Sequence, residues 1–174
     1  MKRIYLIGYM GAGKTTVGRE LAKQMNVSFI DLDHYIEARY HKKIGQLFDE
    51  NGEAVFRDIE CKLLHEVAMF ENVVISTGGG VPCFFDNMSY MNQTGITVYL
   101  KVSSTELAKR LALARHSRPL LKEFSGKSLN RFIVENLEKR EPWYSRASVI
   151  FDAEKMLADT DVNEIACALK KLLS

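Results

Sequence analysis

The sequence contains little cysteine and little proline, with three of each among its 174 residues. Cys61, Cys83 and Cys167 are odd in number and widely spaced, so they predict neither a disulfide framework nor a Cys-x-x-Cys zinc site and favour a reducing compartment. No apolar run approaches the roughly 20 residues that a membrane-spanning helix needs. The start, MKRIYLIGYM, has basic and then apolar residues but lacks the cleavage pattern of a signal peptide. We therefore expect a cytoplasmic protein.

The sequence also lacks an excess of charge of either sign, because 24 basic residues nearly balance 22 acidic ones, for a formal net charge of +2. Such a protein has no overall field to hold a nucleic acid or an anionic membrane, so we expect neither as a partner. The length and the 47% hydrophobic content suit one globular core and exclude disordered and fibrous classes. We predict a single domain spanning residues 1–174, and a monomer.

Short apolar runs alternate with longer helical patterns along the chain, which predicts an α/β fold with a parallel sheet between helices. The runs are β-branched and apolar throughout, as expected for strands that are covered on both faces. We predict strands at about 3–8, 28–32, 73–77, 96–101 and 148–151. We predict helices at about 14–26, 34–41, 53–70, 103–114, 128–140 and 162–173.

Two stretches do not fit a simple alternation of strand and helix. Residues 33–65 carry a helical pattern over twice the length that a crossover needs, which predicts a helical insertion that covers a substrate. Residues 115–127, RHSRPLLKEFSGK, are basic, contain a proline and lack clear periodicity, which predicts a mobile loop.

A phosphate-binding motif follows the first predicted strand. Residues 8–15, GYMGAGKT, satisfy the pattern G-x-x-x-x-G-K-S/T between a β-branched strand and an amphipathic helix. Its backbone N–H groups and the helix N-terminus would surround the phosphates, Lys14 would reach the β- and γ-phosphates, and the Thr15 hydroxyl would bind Mg²⁺. A glycine-rich turn with a chance lysine is the alternative.

Two aspartates, Asp31 and Asp33 in FIDLD, follow the second predicted strand, with both side chains expected on one face of it. Carboxylates near nucleotide phosphates repel them unless they hold a metal ion or a substrate hydroxyl. We assign Asp31 to Mg²⁺ and Asp33 to the acceptor hydroxyl, as hydrogen-bond acceptor and potential general base. The alternative is an acidic N-cap for the next helix, a role that suits Asp33 in particular.

A glycine run and three arginines complete the set. Residues 77–80, TGGG, end the third strand and favour close approach of a ligand to bare backbone, with a simple loop as the alternative. Arg57 is near Phe48 and Phe56, and Arg140 is at the predicted end of a helix. The two guanidinium groups could bind a substrate carboxylate as a pair. Arg118 in the mobile loop could close over the γ-phosphate. Each arginine could instead be an ordinary surface charge.

Together these residues resemble the shikimate kinase family, over about 140 residues from the first strand to the last. The motifs that carry the resemblance are GYMGAGKTT at 8–16, DLD at 31–33, GEAVFRDIE at 52–60, STGGG at 76–80, RPLL at 118–121 and KREPWY at 139–144. The resemblance implies a P-loop kinase fold with a five-stranded parallel sheet in the order 2-3-1-4-5. It also implies transfer of the ATP γ-phosphoryl group to the 3-hydroxyl of shikimate, on the route to chorismate and aromatic amino acids.

The same resemblance implies a role for each matching residue. ATP would be bound by Gly11, Ala12, Gly13, Lys14, Thr15, Thr16 and Arg118, with Mg²⁺ at Thr15 and Asp31. Shikimate would be bound by Asp33, Arg57, Gly79 and Arg140, and Lys14, Asp33 and Arg118 would be catalytic. No adenine-contact signature follows the last strand, and Arg110 is either an adenine-stacking residue or an exposed one.

Two other functions are compatible with the phosphate-binding motif. One is another P-loop kinase, for gluconate or a nucleoside monophosphate, but adenylate-type kinases carry GKGT where this chain has GKTT. The other is a nucleotide-dependent switch without phosphoryl transfer, but the N-K-x-D guanine motif of GTPases does not occur.

Overall fold

Five strands form the centre of the fold in a computed structural model that describes residues 2–113, 126–154 and 159–173. The strands are β1 (Arg3–Ile7), β2 (Ser28–Asp31), β3 (Val73–Ser76), β4 (Ile96–Lys101) and β5 (Val149–Asp152). They make one parallel sheet in the order β2-β3-β1-β4-β5, as the family resemblance implies.

The inner strands of the sheet are apolar because helices cover both of its faces. Every residue of β3 is buried, as are residues 4–7 of β1. Ile4 pairs with Val74 on one side and with Ile96 on the other, so β1 lies at the centre of the sheet. Since all strands run in parallel, the segments that follow β1, β2 and β3 meet at one edge, where ligands bind in open α/β sheets.

Seven helices and one short 3₁₀ turn pack around the sheet within the described residues. They are α1 (Lys14–Met25), α2 (Leu32–Tyr40), α3 (Ile44–Val67), α4 (Asn87–Thr94), α5 (Ser104–Leu113), α6 (Gly126–Tyr144) and α7 (Asp159–Leu173), with the 3₁₀ turn at Val81–Cys83. All six predicted helices are present. The sequence pattern missed α4, a polar eight-residue helix that buries only Asn87, Met88 and Met91. None of the helices in this part of the chain is long and apolar enough to cross a membrane.

Two helices are longer than predicted. Helix α3 begins at Ile44 rather than at residue 53, and Gly52, with φ +77° and ψ 169°, interrupts its helical geometry. Residues 33–65 thus comprise most of α2 and α3, with a short non-helical link at 41–43. Helix α6 continues through Pro142 to Tyr144 instead of ending at residue 140. Proline removes a single backbone donor there, and the amide of Ser145 still donates to the carbonyl of Glu141 at 2.9 Å.

Candidate active site

The phosphate-binding motif forms the turn between β1 and α1. Gly11 and Gly13 have φ of +83° and +91°, a backbone conformation that side chains disfavour. Gly13 is the N-cap of α1, and no side chain caps the first amides of this helix. These N–H groups and the positive end of the helix dipole therefore face the loop, as an anion site requires.

Lys14, the first residue of α1, lies beneath this loop. Its side chain is buried, and Nζ donates hydrogen bonds to the carbonyl oxygens of Gly8 at 2.9 Å and Tyr9 at 3.0 Å. These contacts hold the ammonium group at the base of the turn. The charge expected from the motif therefore lies at the phosphate cradle.

Thr15 and Asp31 meet at the end of β2. The Thr15 hydroxyl donates to Oδ2 of Asp31 at 2.6 Å, and the Ser76 hydroxyl lies 3.5 Å from the same Thr15 oxygen. Asp31 also caps α2, since its Oδ1 accepts from the amide of His34 at 3.3 Å. The cap is therefore Asp31. The suggestion that Asp33 would suit this role is wrong because β2 ends at Asp31 and Asp33 lies in the first turn of α2.

Asp33 faces the glycine run together with a second carboxylate. A Cβ placed on Gly78 would lie 3.0 Å from Oδ1 of Asp33 and 3.2 Å from Oε1 of Glu60. Burial, and then the negative charge of Asp31, raise the pKa of Asp33, whereas Lys14 lowers it in part. Burial also raises the pKa of Glu60. Glu60 is the last residue of the GEAVFRDIE motif, but no role was predicted for it.

Arg57 is held on three sides in α3. Its Nη1 contacts Oε2 of the buried Glu60 at 2.8 Å, and its guanidinium group lies 4.1 Å from the ring centroid of Phe84. Phe48 and Phe56 lie within 6 Å of the same group, at 5.8 and 5.4 Å. The buried Nε has no hydrogen-bond partner among the described residues. Arg57 is thus an ordered cation beside an aromatic wall.

Arg140 reaches the same place from α6. A Cβ on Gly79 would lie 3.2 Å from Nη1 of Arg140, and a Cβ on Gly80 would lie 2.7 Å from Nη1 of Arg57. The two guanidinium groups therefore approach consecutive glycines from two different helices. Only residues without a side chain leave room for both of them, which accounts for the glycines at the end of β3.

The phosphate loop, the two aspartates and the glycine run line a cavity of about 350 Å³ at the carboxyl edge of the sheet. Its lining residues include Gly11, Gly13, Lys14, Thr15, Thr16, Asp31, Asp33, Gly78, Gly79 and Arg110. Ala12 is buried within the loop, and its amide closes the turn by donating to the carbonyl of Tyr9 at 3.1 Å. The cavity joins the phosphate loop to the glycine run.

Arg110 forms part of the cavity wall and is not an exposed charge. Its Nε contacts Glu106 at 2.9 Å, and its Nη2 donates to the carbonyls of Ala153 and Glu154 at 3.1 and 2.8 Å. These bonds tie α5 to the segment that follows β5. Arg118, the residue predicted to lie in the mobile loop, is outside the described residues, as is most of that loop at 115–127.

Comparisons with known proteins agree on one family. The family model described as shikimate kinase matches residues 10–170. A shikimate kinase from Parabacteroides distasonis is 65% identical over 173 residues, which cover 99% of this chain and 100% of that protein. The crystal structure of shikimate kinase from Bacteroides thetaiotaomicron is 52% identical, with a TM-score of 0.96 over 99% of this chain and 98% of that one. Shikimate kinase from Acinetobacter baumannii in complex with shikimate is 32% identical, with a TM-score of 0.86 over 99% of this chain and 92% of that one.

Proposed function

Because the chain belongs to the shikimate kinase family, we infer that it transfers the γ-phosphoryl group of ATP to the 3-hydroxyl of shikimate, giving shikimate 3-phosphate and ADP. It is an enzyme, a phosphotransferase with an alcohol group as acceptor, on the route to chorismate and the aromatic amino acids. One observation carries the assignment of the acceptor. Arg57 and Arg140 converge on Gly79 and Gly80, beside the phosphate loop.

The phosphates of ATP bind in the turn between β1 and α1. Residues 11–16 supply backbone N–H groups, and the uncapped start of α1 supplies a positive end. Lys14 places its charge on the β- and γ-phosphates, where it follows the γ-phosphoryl group during transfer. Its present partners are two backbone carbonyls of the loop, so the ammonium group is already directed to this site.

Thr15 and Asp31 have the donor atoms that Mg²⁺ prefers. A hydroxyl oxygen and a carboxylate oxygen lie 2.6 Å apart at the phosphate loop, and both are hard oxygen ligands. The described residues contain no cluster of three potential metal-ligating His, Cys, Asp or Glu side chains, which fits an ion that takes its remaining ligands from phosphates and water. When bound, the ion neutralises charge on the β- and γ-phosphate oxygens.

Arg57 and Arg140 bind the carboxylate of shikimate. Each guanidinium group offers parallel N–H donors that match a carboxylate, and the two approach from different helices. The bare backbone of Gly79 lets the substrate ring lie against the end of β3. Phe48, Phe56 and Phe84 surround the Arg57 side of this site and exclude water from the ion pair.

Asp33 receives the 3-hydroxyl of shikimate. Its Oδ1 faces Gly78, between the phosphate loop and the two arginines, so a hydroxyl bound there points to the γ-phosphate. The carboxylate accepts a hydrogen bond from this hydroxyl and orients its oxygen for in-line attack. It takes up the proton as the 3-oxygen bonds to the γ-phosphorus and the bond from that phosphorus to the β–γ bridging oxygen breaks, which releases ADP. The raised pKa of Asp33 makes it a stronger base than an exposed aspartate.

The lid, the helical insertion and the cellular setting complete the proposal. Arg118, in a lid at about residues 115–127, closes over the γ-phosphate and stabilises the charge that develops on it. The helical insertion at 33–65 forms the shikimate side of a single domain spanning residues 1–174. We place the enzyme in the cytoplasm as a monomer, with ATP and shikimate as its partners and with no nucleic acid or membrane partner.

ADP release with and without shikimate tests this function directly. Purified protein with ATP and Mg²⁺ is expected to release ADP only when shikimate is present, and phosphorus NMR is expected to place the new phosphate on the 3-oxygen. Gluconate and AMP serve as competing acceptors. ADP release that does not depend on shikimate, or that depends on gluconate or AMP instead, would contradict the proposal.

A further inference from the structure

Tyr144 occupies the last position of α6, four residues after Arg140 and on the same face of the helix. Its side chain is fully buried, and its hydroxyl donates to the carbonyl oxygen of Gly79 at 2.6 Å. Nη1 of Arg140 lies next to Gly79 as well, where a side chain on this residue would be. One hydroxyl group therefore lies where α6 and the glycine run meet.

The Tyr144 hydroxyl and the guanidinium group of Arg140 meet at the same residue, Gly79. Burial by itself lowers the pKa of Arg140, but Tyr144 is the strongest of several neighbours that raise it, so the net shift is upward. The phenol oxygen can accept from a guanidinium N–H while its own proton goes to Gly79. A single side chain thus binds a backbone component of the proposed carboxylate site at the point where the charged component lies.

Other contacts fix the Tyr144 ring. Tyr99 of β4 packs against it, with ring centroids 5.0 Å apart. The Tyr99 hydroxyl donates to Oε2 of Glu141 at 2.7 Å, and Lys101 contacts Oε1 of the same residue at 3.0 Å. The final turn of α6 is therefore attached to β4, so the Tyr144 hydroxyl has little freedom to leave Gly79.

We propose that Tyr144 is a positioning residue for the substrate carboxylate, because its hydroxyl holds the Gly79 backbone, against which the Arg140 guanidinium group lies. The inference rests on the proposed function, since it assumes that Arg140 binds the carboxylate of shikimate. Without the hydroxyl, the Gly79 carbonyl loses a partner in a partly buried place, and the backbone beside which Arg140 lies is held less firmly. The enzyme then binds substrates that carry a carboxylate more weakly.

The test compares Tyr144→Phe with wild type on two acceptors, shikimate and its analogue in which a hydroxymethyl group replaces the carboxylate. With shikimate, KM is expected to rise about tenfold, the effect of one hydrogen bond of moderate strength. The KM for ATP is expected to stay within about twofold, because the phosphate loop is untouched. With the analogue, wild type and variant are expected to have equal kcat/KM.

Tyr5→Phe is the matched control. Tyr5 is also fully buried, and its hydroxyl bonds that of Thr94 at 2.8 Å, near α4 and remote from the cavity. Tyr5→Phe is expected to lower the melting temperature and to leave the KM for shikimate unchanged. If Tyr144→Phe reduced kcat/KM equally for both acceptors, or left the KM for shikimate unchanged, the proposal would be overturned.

Two further measurements keep the test decisive. If Tyr144→Phe does not fold, incorporation of 4-aminophenylalanine at position 144 retains the ring and an N–H donor, and is expected to restore shikimate selectivity over the analogue. Loss of that selectivity in the folded 4-aminophenylalanine protein would contradict the proposal. Wild-type turnover with shikimate tests the proposed function by itself, so failure of either idea can be recognised separately.

Discussion

Oγ1 of Thr15 lies 2.6 Å from Oδ2 of Asp31, and this hydrogen bond joins the first turn of α1 to the end of β2. Thr15 lies near the start of α1 and Asp31 ends β2, so most of both elements separates the two residues along the chain. Their separation depends on how α1 packs on the sheet, so the phosphate loop and the proposed metal ligand are positioned together.

The first prediction concerns this pair. Asp31→Asn retains the shape and an acceptor oxygen but removes the negative charge, so the Mg²⁺ concentration for half-maximal activity is expected to rise at least about tenfold. Because Asp31 also caps α2, the melting temperature of the Asp31→Asn variant is measured in parallel without Mg²⁺. An unchanged Mg²⁺ dependence, with or without a loss of stability, would leave Asp31 as a helix cap only.

Lys14→Ala removes the charge that follows the γ-phosphoryl group, so kcat is expected to fall at least about 10²-fold. The circular dichroism spectrum is expected to match that of wild type. Lys23→Ala, at an exposed position of the same helix, is the control and is expected to keep kcat unchanged. Near wild-type turnover in folded Lys14→Ala would contradict the role given to the phosphate loop.

Asp33→Asn is expected to abolish most turnover while the affinity for ATP changes little, because only the hydroxyl acceptor loses its base. In wild type, the base is active when deprotonated, and burial with Asp31 raises its pKa. The kcat/KM for shikimate is therefore expected to fall with decreasing pH, at a higher pH than for an exposed aspartate. Removing the nearby charge in Asp31→Asn is expected to move this fall to lower pH. A normal kcat for Asp33→Asn would rule out its part in the reaction.

Arg57→Ala and Arg140→Ala are each expected to weaken shikimate binding by about 2–5 kcal/mol, because a desolvated carboxylate loses a charged partner. Calorimetry measures both shikimate and ATP binding, and ATP affinity is expected to persist. Arg39→Ala provides the control, since Arg39 is an exposed arginine paired with Glu66. Equal affinity of wild type for shikimate and its hydroxymethyl analogue would show that the arginines do not read the carboxylate.

Arg118→Ala is expected to lower kcat by about 10³-fold or more if the arginine contacts the transferring phosphoryl group. Amide exchange over residues 115–127 is expected to slow when an ATP analogue, Mg²⁺ and shikimate are added to wild type, and not in the variant. Arg118→Lys is expected to recover little, because a point charge does not replace a planar pair of donors. Arg131→Ala, an exposed position in α6, serves as the control. If amide exchange over residues 115–127 of wild type did not change with ligands, and Arg118→Ala kept a normal kcat, the loop would be only a connector.

The sheet was predictable because burial of both faces leaves a direct trace in the sequence. Strands such as β1 and β3 are continuous apolar runs bounded by polar or glycine residues, and a periodic apolar face marks the longer helices. Helix α4 has no such trace, since its sequence, NMSYMNQT, is polar and only eight residues long. The end of α6 was missed because Pro142 is usually a stop signal, whereas here it costs one hydrogen bond.

The sequence predicted the site residues that belong to a local motif. It did not predict the residues that only the fold brings together. The loop before Lys14 is recognisable from spacing alone. Glu60 looks in the sequence like any helical surface charge, and only the fold reveals that it is buried between Arg57 and Gly78. The choice between Asp31 and Asp33 as helix cap depended on where β2 ends, a boundary that periodicity does not fix to one residue.

The three glycines after β3 also limit how this site can evolve under selection by an inhibitor. A ligand that contacts the backbone of residues 78–80 binds atoms that almost every amino acid retains, since no substitution removes a backbone carbonyl and only proline removes an N–H. Any side chain introduced there meets Asp33, Glu60, Arg140 or Arg57 within 3.2 Å. Resistance through this wall would therefore disturb the residues assigned to the natural substrate. Inhibitors that bind the glycine backbone leave escape mutations few positions to use.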